Sequence, residues 1–181
     1  MNKKQIQAEV ARRIDAGESK TAIYRSLLGG ELTEGRLAHL IATHAEERLT
    51  HAHARLVTAL VVIAWVQLVF ALVMVLAVGL QSGMAWGPIL LLAAFTAGLG
   101  YLFIWGYRHH KAWAYTLSIF LSVINLPKAF QDFSAEPVTS LAAFAVSVAV
   151  IAFTWHVRSK LFPDLHVVGP RKVKGVFVFS N

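Results

Sequence analysis

Histidine is the residue type whose placement most clearly suggests chemistry in this sequence. The chain has eight histidines. On a continuous helix, His44, Glu47 and His51 would share one face at positions i, i+3 and i+7. Imidazole with carboxylate binds Zn, Ni, Cu or Fe, and imidazole also titrates near neutral pH. The candidate metal-binding or proton-sensing residues are therefore His44, Glu47, His51, His53, His109, His110 and His156. We predict that five of them lie near one membrane plane, namely His51, His53, His109, His110 and His156.

The same histidines also have a simpler interpretation, as part of a basic interface facing the cytosol. Glu47 would then pair with Arg48 or His51 on a solvated helix face. The H-x-x-E-x-x-x-H spacing differs from the H-E-x-x-H motif of zinc proteases. The sequence has no cysteine, no nucleophile elbow and no phosphate-binding or dinucleotide motif. We therefore expect no enzymatic activity and no cofactor, with a bound metal ion as the alternative.

Polar side chains inside the predicted membrane spans are few. Gln67 and Asn125 carry amides that call for hydrogen-bond partners outside their own helix, whereas Ser and Thr bond their own backbone. Gln67 shares a helix face with Ala64 and Ala71, which predicts a helix contact. Asn125 lies close to Pro127, a pattern that could instead mark a broken helix end, as in transporters.

The elements that would position these residues are organised by an uncharged stretch. Between Arg55 and Arg108 the chain has no charged side chain. A helix needs about 20 apolar residues to cross roughly 30 Å of hydrocarbon, so this stretch holds two spans. The chain is 56% hydrophobic and 15% charged, below the roughly 25% charged of ordinary soluble domains. It is therefore predicted to be an integral membrane protein.

The predicted fold is an all-α membrane protein with four transmembrane helices and both termini in the cytosol. The spans are expected near residues 56–78, 88–107, 112–130 and 137–157, with an outer loop at residues 131–136. Of the 17 Lys and Arg residues, all but Lys128 then lie inside, which fits the positive-inside rule. This distribution accounts for the net charge of +7 without nucleic acid. The expected location is the bacterial inner membrane.

Residues 1–50 are predicted to form a small helical cytosolic head. A helix over residues 3–16 ends at Gly17, Ser19 caps a second helix that Gly29 stops, and Thr33 opens a third. The third helix either continues into the first span or breaks near Thr50. The spacing resembles the start of a helix-turn-helix domain, but the acidic residues after Gly30 argue against DNA binding.

Residues 161–181 are predicted to form a cytosolic tail with a short hairpin. They follow the transmembrane domain of residues 51–160. The ending resembles that of small, uncharacterised bacterial inner-membrane proteins that close with Phe-Pro, then Gly-Pro and two basic residues, then Gly-x-aromatic-x-Phe. The matching positions are Phe162, Pro163, Gly169 to Lys172, Gly175, Phe177 and Phe179. This resemblance implies no activity.

Small residues at helical spacing form packing seams in the predicted spans. Ala142, Ala145, Ala149 and Ala152 form one, and Ala94 with Gly98 another. These seams suit either an internal four-helix bundle or contact between subunits. We therefore predict a non-catalytic accessory or partner-docking protein that associates with the lipid bilayer and with itself or another membrane protein. The alternative is a small oligomeric channel, transporter or metal-handling protein.

Overall fold

The computed structural model describes residues 3–30, 32–130, 137–167 and 169–180, and most of them are helical. Within these ranges, eight α-helices and one short hairpin follow one another. The helices are α1 (Lys3–Asp15), α2 (Lys20–Leu27), α3 (Glu34–Ala42), α4 (Glu47–Ala52), α5 (Ala54–Gln81), α6 (Trp86–Arg108), α7 (Ala112–Asn125) and α8 (Pro137–Leu161). The strands are β1 (Lys172–Val173) and β2 (Val176–Phe177).

The head consists of α1, α2 and α3, and its turns follow the local sequence closely. Gly17 adopts a φ of +83°, a left-handed conformation that favours glycine and ends α1. The Ser19 hydroxyl accepts a hydrogen bond from the Ala22 amide at 3.3 Å and caps α2. Gly29, with a φ of +82°, follows α2. Thr33 precedes α3 without a side-chain cap.

The third head helix does not continue into the first apolar helix. The chain leaves the helix after Ala42, forms the short α4, and breaks again at His53. The Thr43 hydroxyl donates to the His39 carbonyl at 2.7 Å at the end of α3. Of the two predicted alternatives, the continuous rod is therefore not formed, and the breaks flank Thr50 on both sides.

Three of the described helices, α5, α6 and α8, are long and apolar enough to cross a membrane. The first two form a closely packed hairpin. A Cβ at Gly100 would lie 2.6 Å from Leu68 Cδ1, and one at Gly79 would lie 2.7 Å from Ile89 Cγ1. These glycines let α5 and α6 approach closely along their length.

The third predicted span, residues 112–130, is built differently from the others. The α-helix ends at Asn125, and residues Leu126–Phe130 continue as a 3₁₀ helix. Pro127 explains part of this change, because it cannot donate the backbone hydrogen bond of a continuing α-helix. At 1.5 Å and 2.0 Å per residue, the 14 and 5 residues together span about 31 Å. The predicted outer loop at residues 131–136 lies outside the described residues.

The main hydrophobic core lies at the end of the bundle where the head packs, which we call the head end. Ile23 and Leu37 of the head belong to the same core as Leu60, Tyr115 and Phe162. The ring of Tyr115 lies 5.9 Å from Phe162, between centroids. The head, the helix ends and the tail therefore share one core.

The tail folds back onto the head through a two-residue hairpin turn. Lys172 pairs with Phe177 and Val173 with Val176, in antiparallel register. Lys174 and Gly175 occupy the turn with φ values of +50° and +82°. Both central residues of a type I′ turn have positive φ. The hairpin places the aromatic rings of Phe177 and Phe179 against Tyr24, at centroid distances of 5.8 and 5.5 Å.

Candidate functional site

A cleft of about 1540 Å³ opens at the head end, between the head, α5, α7 and α8. Its rim is polar and basic, since it includes the α6–α7 turn with Arg108 and Lys111. Its deeper wall is apolar and comes from α5 and α7. The cleft is therefore amphipathic, with charge at one end and hydrocarbon at the other.

Most of the candidate residues predicted from the sequence meet in this cleft. Neither His53 nor His156 lines it. His53 instead lies at the start of α5, and His156 is exposed on α8. The predicted residues that do line the cleft are His44, Glu47, His51, His109 and His110.

The shared helix face predicted for His44, Glu47 and His51 does not form. His44 lies in the loop between α3 and α4, because α3 ends at Ala42 and α4 begins only at Glu47. Its Nε2 atom lies 3.2 Å from Asp15 Oδ1, which connects it to α1. Among the described residues, no group of three or more His, Asp or Glu side chains is arranged to hold a metal ion.

His110 is the most perturbed histidine of the cleft. It adopts a left-handed φ of +49° in the α6–α7 turn, and its Nδ1 atom is buried without a hydrogen bond in the described structure. Burial lowers the pKa of His110, and the nearby imidazoles of His109 and His51 lower it further. The surroundings of His110 therefore favour its neutral form.

Arg158 is a buried cation on the wall of the cleft. Its side chain is 2% exposed. Its guanidinium donates to the carbonyls of His166 and Val167, at 2.5 and 3.1 Å, and to the Thr116 hydroxyl at 3.1 Å. Within the described ranges no carboxylate lies in ion-pair distance of it. Arg158 thus joins α7, α8 and the tail, and its positive charge is not neutralised by a described acid.

A second buried charge cluster joins the head to the tail. Lys20 Nζ lies 2.7 Å from Asp164 Oδ2 and 2.7 Å from Glu46 Oε1. Lys20 and Asp164 are 4% and 2% exposed, so the pair is almost fully removed from solvent. The Ser180 hydroxyl donates to the other oxygen of Asp164, at 2.7 Å. This cluster orients the head over the cleft.

Gln67 and Asn125, the predicted intramembrane polar residues, do not line the cleft. Gln67 is exposed near the middle of α5 and makes no hydrogen bond with the described residues. The predicted contact of Gln67 with another helix is therefore not formed within the described chain. The Asn125 amide donates to the Leu121 carbonyl at 2.8 Å, within its own helix. Asn125 does end the α-helix of α7, as its proximity to Pro127 suggested.

Sequence reasoning did not identify Lys20, Asp164 or Arg158. A signal for Asp164 is present, since it is the single acid after residue 136 in a basic tail. Lys20 carries no comparable signal, because lysine is ordinarily exposed. Its burial depends on two acids distant in the sequence.

Comparisons with known proteins found no matching family model, no matching curated protein and no matching solved structure. The structure itself defines a mainly helical chain with three helices suited to crossing a membrane and an amphipathic cleft at one end.

Proposed function

We propose that this chain is a non-catalytic accessory protein of the bacterial inner membrane that docks a second copy of itself or another membrane protein. Gln67 carries the proposal. It lies at the middle of the 28-residue α5, and its amide is exposed without a partner in the described chain. An unsatisfied amide in hydrocarbon is costly, and a helix from another subunit would satisfy it.

The outward small-residue seam on α8 supports the same proposal. Ala142, Ala145, Ala149 and Ala152 are all exposed on the chain, so no described helix covers this seam. Ala94 and Gly98 of α6 are exposed as well, and a Cβ at Gly98 would meet no atom within 4 Å. These surfaces allow the backbone of another helix to approach closely.

The proposed topology has four spans, with the 3₁₀ extension of α7 completing the third. Both termini then face the cytosol, together with the head, the cleft and the Arg108–Lys111 turn. The Lys and Arg distribution supports this orientation. Reporter fusions at residues 83 and 134 should report an outside location, and one after residue 181 a cytosolic one. An outward location of the last fusion would overturn the four-span topology.

Replacing Gln67 with Leu tests the docking proposal. Interhelical hydrogen bonds contribute about 0.6–2 kcal/mol, so we expect a roughly 3-fold to 30-fold weaker association. The measurement is the mass of the complex purified in mild detergent, as a function of detergent concentration. Gln81→Leu, at the end of α5, is the control and should leave association unchanged. A wild-type protein that is monomeric and carries no partner would contradict the proposal.

A channel, transporter or metal-handling function is the second candidate. The observation that favours it is the meeting of His44, Glu47, His51, His109 and His110 in one cleft. Purified protein would then hold stoichiometric metal by elemental analysis, or reconstituted protein would conduct ions. The absence of both metal and flux would dispose of this candidate and leave the docking proposal unaffected.

A further inference from the structure

The amphipathic cleft has the dimensions of one lipid leaflet. Along α7 its wall extends from Ala112 to Val123, which corresponds to about 18 Å of helix at 1.5 Å per residue. Half of a roughly 30 Å hydrocarbon core is about 15 Å. In the topology proposed above, on which this inference rests, the cleft therefore runs from the cytosolic interface to the middle of the bilayer.

The deep part of the cleft is suited to an acyl chain. Val61 lines it on α5, and Leu117, Phe120 and Val123 line it on α7. Phe120 and Val123 are 61% and 50% exposed, so the chain itself does not cover them. Small-molecule pockets usually measure about 300–1,000 Å³, and this cleft of about 1540 Å³ is larger. Its size and lining therefore fit a long apolar ligand better than an ion.

The shallow part of the cleft is suited to an anion. Three cationic side chains line it, those of Arg108, Lys111 and Arg158, whereas its described lining includes one carboxylate, that of Glu47. Neither Arg108 nor Lys111 forms an ion pair with a carboxylate in the described ranges. Basic pockets between transmembrane helices on the cytosolic side attract anionic lipid headgroups. When an acyl chain occupies the apolar part of the cleft, the phosphate of the same lipid would lie at the level of these three cations.

We propose that the cleft binds one anionic phospholipid of the inner leaflet. Its phosphate lies at Arg108 and Lys111, and one acyl chain follows the groove between α5 and α7. Arg158, held by the carbonyls of His166 and Val167, adds positive potential from below the headgroup without contacting it directly. The lipid thereby fills the space that the head leaves between itself and the bundle.

Native mass spectrometry of the full-length protein tests this proposal. The protein is purified in mild detergent, depleted of lipid, and titrated with phosphatidylglycerol or with phosphatidylcholine of the same acyl chains. We expect one phosphatidylglycerol to bind at least about 10-fold more tightly than phosphatidylcholine, since the headgroups differ in net charge. Equal retention of the two lipids would overturn the proposal.

Charge variants test the headgroup site. Each charge should contribute about fivefold to phosphatidylglycerol binding, so removing both with Arg108→Gln and Lys111→Gln should weaken binding about 25-fold. The matched control removes two exposed charges outside the cleft, with Lys160→Gln and Arg171→Gln. Equal losses in both double variants would show a diffuse charge effect and refute a site at the turn.

A steric variant tests the acyl groove. Val61→Trp should fill the groove and reduce phosphatidylglycerol binding without changing charge, whereas Val62→Trp on the exposed face should not. Circular dichroism and gel filtration check that both variants fold. Unchanged binding in Val61→Trp, or full competition by inorganic phosphate, would refute lipid binding and favour a site for a soluble anion. These measurements in detergent do not depend on orientation, so the reporter fusions test the topology separately.

Discussion

The buried contact between Lys20 and Asp164 yields the sharpest prediction about stability. Lys20 Nζ bridges Asp164 and Glu46, each at 2.7 Å, and thereby connects the head to the tail. Asp164→Asn retains the shape of the side chain and its acceptor oxygen for Ser180. It removes one of the two negative charges beside a lysine that is 4% exposed. We therefore expect the head to separate from the tail more often, a local opening of the structure.

The expected magnitude follows from the burial of the pair. Breaking a buried ion pair from one side costs about 3–5 kcal/mol, because it leaves the partner charge buried. Glu46 remains beside Lys20 and is 27% exposed, so we expect the lower limit, about 3 kcal/mol. That corresponds to an increase of about 140-fold in the opening equilibrium.

Hydrogen exchange in mild detergent, read by mass spectrometry on peptides of α2, measures this opening. Peptides from the middle of α6 serve as an internal reference and should not change. Arg12→Gln is the matched control, since Arg12 pairs with Glu9 at 77% exposure and exposed pairs contribute about 0.2–1 kcal/mol. Similar small effects of Asp164→Asn and Arg12→Gln would refute the reasoning. So would a double-mutant cycle of Lys20→Met and Asp164→Leu with no coupling energy.

Three further predictions concern local geometry and pH. Gly106→Ala should destabilise the protein by about 1–3 kcal/mol in thermal unfolding, because the new Cβ would lie 2.5 Å from Ala114 Cβ. Gly87→Ala on the same helix is the control, since its Cβ would meet no atom within 4 Å and should not destabilise the protein. The pKa of His110 is lower in the folded state than in the unfolded state, so protonating His110 disfavours folding. The resulting contribution to stability is fully present above about pH 6.5 and is lost as the pH falls through the folded-state pKa. His110→Asn should therefore flatten the decline of Tm between pH 7 and 5, and an unchanged slope would exclude His110 as its source. Lys174→Asn should raise the Tm slightly, because Asn suits the positive φ at this turn position, and a lowered Tm would contradict the type I′ assignment.

Local signals in the sequence predict much of the fold. Ser19, Gly17 and Gly29 mark the ends of head helices, and these signals depend on residues a few positions apart. The apolar runs predict α5, α6 and α8 for the same reason. The start of α6 at Trp86, before Pro88, differs by about one half-turn from the expected boundary.

Features that depend on distant contacts were not predictable in this way. The direction of Gln67 is one example, because an almost uniformly apolar helix does not indicate which face packs on its neighbour. The break after Ala42 is another, since no Pro or Gly marks it and the loop is instead held by Thr43 and the contact of His44 with Asp15. The cleft itself results from the position of the head, which Lys20 and Asp164 set.

The ion pair between Lys20 and Asp164 also has a consequence for the order of events during synthesis. Its two residues are 144 positions apart. At about 5–20 residues per second, the ribosome needs roughly 7–29 s to add that length. During this interval the head helices lack the tail that completes their core. We therefore expect the newly made head to have an incomplete core until the tail emerges.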